Sequence, residues 1–90
     1  MNRYLYSLEP GGRWSRILTQ CRGRARTAAQ LLNALHDGRY SRNRERKKIG
    51  AACLDLQDRG LLTRTDRHAF IATDAAEAAL DALNRSTAHG

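Results

Sequence analysis

Apolar residues recur at helical spacing in four segments of this chain. In RWSRILTQCR, Trp14, Ile17, Leu18 and Cys21 stand at i, i+3, i+4 and i+7, and Gly23 is placed to end the helix they predict. RTAAQLLNALHDG repeats the pattern at Ala28, Leu31, Leu32 and Leu35. Thr27 is positioned to cap it, Gln30 three residues on completes a capping box, and Gly38 is the expected terminator. A third stripe, Ile49, Ala52, Cys53 and Leu56, predicts a helix that starts within 42–46 and runs to about 59. Ser41 or Asn43 is its expected cap, Glu45 lies near its positive end, and Gly60 follows its last turn. Gly50 inside this helix costs about 1 kcal/mol against Ala, and close approach of another backbone is the expected compensation.

Between the third and fourth helices the period changes. LLTRT-DR-HAFIAT is enriched in Thr, Phe and Ile around a polar turn at Asp66-Arg67, and it predicts two short strands. Thr73 or Asp74 then opens a last helix, with Asp74 and Glu77 as a capping pair and Ala75, Ala76, Ala79, Leu80 and Leu83 along one side. Pro10-Gly11-Gly12 separates an N-terminal arm, residues 1–12, from a single domain at 13–90. In the arm, RYLYSL places Tyr4, Tyr6 and Leu8 together if extended, or Tyr4, Leu5 and Leu8 if helical, and both conformations stay open.

Charge sharpens the picture. The formal net charge is +7, but residues 1–48 hold 12 Lys/Arg against 3 Asp/Glu, and residues 49–90 hold 4 against 6. So uneven a distribution points to a surface for a polyanion. Fourteen of the sixteen cations are Arg, suited to bidentate contacts with phosphate or guanine, although a GC-rich genome enriches Arg as well. The densest stretch, RNRERKK at 42–48, leads directly into the Ile49 stripe. With Ile49 at zero and about 100° per residue, Ala52, Cys53 and Leu56 fall within about 60° of it. The opposite face carries Asn43, Arg44, Lys47, Lys48 and Ala51 first, and Asp55 and Asp58 further on. A disordered tail would not hold the apolar register, and a solvated face would mix its signs.

The span from Thr27 to Leu83 resembles winged helix-turn-helix DNA-binding domains of small bacterial or phage regulators. The resemblance rests on L-x-L-x-x-x-GLL-x-R leaving the third helix and on AT-x-x-x-x-AL-x-x-L after the strands. It implies a mainly α fold with a small β-hairpin, in the order helix-helix-helix-strand-strand-helix. The third helix would then enter the major groove of duplex DNA by its N-terminal end. HDGRYSRN, before that helix, is longer than the minimal connection, and the wing TDRH is short. Under this reading Asn43, Arg44, Lys47 and Ala51 are the base-contacting candidates: the cations for guanine, Asn43 for adenine and Ala51 for a thymine methyl. Arg42, Arg46 and Lys48, with Thr27 and Gln30 at the start of the second helix, are the phosphate candidates. Arg64, Arg67 and His68 arm the wing.

Other classes find less support. Cys21 and Cys53 have no CxxC or His partner at ligand spacing and are expected to be small buried hydrophobes, with no metal and no cofactor. No P-loop, GxGxxG, HExxH or GxSxG occurs, and His36, His68 and His89 are scattered, so no enzyme is expected. The aromatics Tyr4, Tyr6, Trp14, Tyr40 and Phe70 show no spacing for a stacking platform, which weakens an RNA reading. The apolar runs are short and MNRYLYSLEPGG lacks a signal-peptide core, so a cytoplasmic protein without a membrane span is expected. The leading expectation is a sequence-specific transcriptional regulator, a repressor by occupancy, paired as a homodimer through the small residues of the last helix and the apolar arm. The alternative is a protein-binding inhibitor or adaptor, such as a phage product, that docks the same scaffold on an acidic protein.

Overall fold

The computed structural model describes residues 8–36, 38, 41–65 and 67–88, with the side chains of 86–88 left aside. Within them run α1 (Arg13–Gln20), β1 (Arg26–Thr27), α2 (Ala28–Leu35), α3 (Arg42–Asp58), β2 (Leu62–Arg64), β3 (Ala69–Ala72) and α4 (Asp74–Ala88). The molecule is mainly helical with a small antiparallel sheet, as the apolar periods predict. The conformation expected for RYLYSL falls on residues outside those described, apart from Leu8, which is buried.

The apolar stripes become one core. Ile17, Leu18, Cys21, Leu31, Ile49, Cys53, Leu56 and Leu61 are wholly buried, and Trp14, Leu35, Ala72 and Leu83 pack against them in part. Each large aliphatic so buried contributes about 1.5–3 kcal/mol. At α2, the Thr27 hydroxyl accepts from the Gln30 amide at 3.1 Å and the Gln30 side chain accepts from the Thr27 amide at 2.9 Å, so the capping box is complete. At α3, the Ser41 hydroxyl accepts from the Arg44 amide at 3.2 Å, which starts the helix ahead of the whole cationic run.

Several elements differ from the reading of the sequence. The sheet has three strands in the order β1-β3-β2, not two. Arg26 pairs with Phe70 and Thr27 with Ala69, so Thr27, which caps α2, also pairs along the free edge of β3. A two-residue strand has no period to read; the long-range pairing defines it. The helix α2 ends at Leu35 because His36 turns extended (ψ 124), and Gly38, with φ 87, bends the linker beyond the helix. No other backbone approaches Gly50: a Cβ built there meets nothing within 4 Å. The expected capping pair of Asp74 and Glu77 does not form. Thr73 caps α4, its hydroxyl accepting from the Ala76 amide at 3.2 Å and donating to the Gly60 carbonyl at 2.7 Å. Glu77 instead faces Arg22 at 3.5 Å, beside the Arg22–Asp81 pair at 2.8 Å. Ala76, Ala79 and Leu80, expected on a face for a second copy, are buried in this chain's own core, leaving Ala75 and Ala78 exposed.

The strand turn closes tightly, with the Thr65 amide donating to Ala69 at 2.7 Å and the His68 amide to Thr65 at 3.2 Å. His68 takes φ 59, a left-handed conformation that His tolerates better than most residues. Asp66 lies outside the described residues.

Candidate functional site

The long helix α3 divides along its length and around its circumference. Ile49, Ala52, Cys53 and Leu56 enter the core, and Glu45, on the same side, is buried with its carboxylate 3.8 Å from Arg13 at the start of α1. Core burial on one side turns the other side out. Asn43, Arg44, Lys47 and Ala51, the expected base-contacting residues, are all exposed on that outer side of α3. Asp55 and Asp58 are exposed on the same side one to two turns later. The sign change anticipated along the helix is therefore a property of its accessible surface.

The expected phosphate contacts sit less uniformly. Arg42 and Arg46 are exposed and Lys48 is half-buried. The guanidinium of Arg42 donates to the Asn33 side-chain carbonyl at 2.7 Å, which fixes the first turn of α3 against α2. Thr27 and Gln30 use side-chain oxygens in their own capping box. Arg64, Arg67 and His68 are exposed around the strand turn, and Arg64 lies 2.6 Å from His68 Nδ1, so these two side chains hold one another at the tip.

Some features of this surface have no signal in the sequence. Arg59, the C-terminal cap of α3, stacks over the Trp14 ring at 4.8 Å from its centroid, a cation–π contact between segments far apart in the chain. A shallow hollow of about 290 Å³ between Arg13, Trp14, Lys48, Ala51 and Asp55 adjoins it. Leu54, 52% exposed, is the one large hydrophobe among the described residues left open to solvent. Another hollow, of about 300 Å³, lies between α1 and α4 among Leu35, Leu80 and Leu83. The nearby Arg16 guanidinium already donates to the Leu35 carbonyl at 3.1 Å.

Both cysteines are buried and free. Burial pushes the Cys21 thiol up to about 11 against the opposing pull of Arg26, and the Cys53 thiol up to about 12 with some help from Cys21. Among the described residues no three His, Cys, Asp or Glu side chains gather where they could hold a metal ion, and no helix is long and apolar enough to cross a membrane. No protein-family model, curated protein or solved structure matches the chain.

Proposed function

We propose that this chain is a winged helix-turn-helix domain that binds duplex DNA sequence-specifically, as a small transcriptional regulator acting by occupancy. The outer face of α3 carries the reading. Its first turns expose Asn43, Arg44, Arg46 and Lys47 while its inner face is locked into the core. A helix presented this way offers cations to phosphates and bidentate donors to base edges at its N-terminal end. Its carboxylates, Asp55 and Asp58, come late enough to lie outside the groove. Supporting features are the element order, the antiparallel strands following α3, and the exposed Arg64, Arg67 and His68 on the turn between them.

The test is a selection from a random duplex pool, followed by anisotropy titrations on the selected and scrambled duplexes over a range of salt. Arg44→Ala or Lys47→Ala costs about 1–3 kcal/mol on the selected sequence and relaxes one base position. Arg46→Ala weakens every sequence alike and lowers the salt slope by about one unit. If the unaltered protein binds no duplex at low salt, the reading falls, and the same face is better assigned to an acidic protein partner.

A further inference from the structure

We infer that the outer face of α3 is also a self-complementary surface, on which a second copy of this chain pairs antiparallel about a two-fold axis through Ala51. The sequence positions carry the symmetry. Arg44 and Asp58 lie equally far before and after Ala51, and so do Lys47 and Asp55. All five residues are exposed on one side of one uninterrupted helix. At 1.5 Å rise per residue, an antiparallel copy crossing at Ala51 sets Lys47 level with Asp55 of the second copy, about 6 Å from the axis, and Arg44 level with Asp58, about 10 Å from it. A two-fold axis repeats each contact, so four opposite-charge pairs form and no like charges face one another among these positions.

Ala51, at the centre, has the smallest side chain on this outer face. Gly50, its half-buried neighbour in the chain, lies about 100° round the helix from it and has open space where a Cβ would stand. Ala51 makes a low spot between the longer side chains of Lys47, Leu54 and Asp55, where a second helix can approach to the 8–10 Å typical of packed helices. Leu54 fits the same arrangement. It is the one large hydrophobe among the described residues left exposed, and it flanks Ala51 on the same side of the helix, where a second helix covers part of it.

The pairing is weak and salt-sensitive, because exposed ion pairs contribute little and are screened. Its consequence, which rests on the DNA reading above, is regulatory: the paired form hides Arg44 and Lys47, so self-association competes with duplex binding. The pairing itself stands without that reading.

Sedimentation of the full chain at high micromolar concentration tests it. Self-association is expected in about 10 mM salt and falls at least about tenfold in about 1 M, as the Debye length shrinks from roughly 30 to 3 Å. Asp55→Lys with Asp58→Lys abolishes it. Adding Arg44→Asp and Lys47→Asp to that pair restores it, since the transposed charges match again. Ala51→Cys, on the axis, forms a disulfide-linked dimer at least about tenfold faster than Thr63→Cys on exposed β2, by effective concentration. A monomer in low salt, a dimer indifferent to Asp55→Lys with Asp58→Lys, or equal rates for the two new cysteines overturns the inference. Duplex titrations at protein concentrations too dilute for pairing keep the two readings apart. Pairing without DNA binding removes the proposed function alone, and DNA binding by a persistent monomer removes this inference alone.

Discussion

Burial pushes the thiols of Cys21 and Cys53 up to about 11 and about 12, so neither supplies thiolate near neutrality. Both should react with a thiol reagent only as fast as the fold opens, whereas an exposed cysteine reacts at once. Rapid native labelling of Cys53 would contradict this. A folded-state pKa above the ordinary 9.0 means that the native protein holds these protons more tightly than the unfolded chain. The associated stability is complete below pH 9 and is lost as pH rises through 11 to 12, so urea midpoints should drop over that alkaline window. Cys53→Ala should lower the midpoint at neutral pH, at a cost of about 1–2 kcal/mol for the small cavity left. It should also reduce the alkaline loss. Gly50 lends itself to the opposite experiment: Gly50→Ala fills open space on a helix and should stabilise the monomer by about 0.5–1 kcal/mol.

At the scale of elements, what could be read from the sequence was what the chain encodes locally. The capping box of Thr27 and Gln30 spans three residues, and its two hydrogen bonds form as read. The stripe from Ile49 to Leu56 fixes which side of α3 is buried, and so which side carries Asn43, Arg44 and Lys47. Elements that depend on distant partners were not legible. Arg26-Thr27 is a strand only because β3 offers an edge, and Glu77 abandons a capping role because Arg22 comes within reach across the fold. The same holds for the site. Its sign change along α3 was visible in the sequence, but the Arg42–Asn33, Arg64–His68 and Arg59–Trp14 contacts were not. Thr73 shows how such a junction can be probed. Its hydroxyl caps α4 and also donates to Gly60 just after α3. Thr73→Ala should therefore cost more than Thr27→Ala, about 2 against about 1 kcal/mol, measured by chemical unfolding. Equal losses would mean that the bond to Gly60 adds nothing.

For the molecule as a whole, the excess of cations predicts opposite responses of folding and binding to salt. A formal charge of +7 on 90 residues repels itself, most strongly in the first half, where 12 Lys/Arg meet 3 Asp/Glu. Among the described residues the pairs of Arg22 with Glu77 and Asp81 oppose this but join exposed side chains and are worth little individually, and Arg13 stands 3.8 Å from the buried Glu45. Added salt screens the many repulsions more than it weakens these few attractions, so the thermal midpoint should rise between about 10 and 200 mM salt as the Debye length contracts. Duplex binding on the proposed face releases counterions, and its log affinity should fall with log salt by roughly 0.9 for each phosphate neutralised. Heating the protein alone and with duplex through one salt series separates the two effects. Without DNA the midpoint climbs; with excess duplex it starts higher, and the gap closes as salt increases. A midpoint that falls with salt in the free protein would show that its ion pairs outweigh its net charge. A gap that persists unchanged at high salt would mean that the stabilising contacts are not with phosphates.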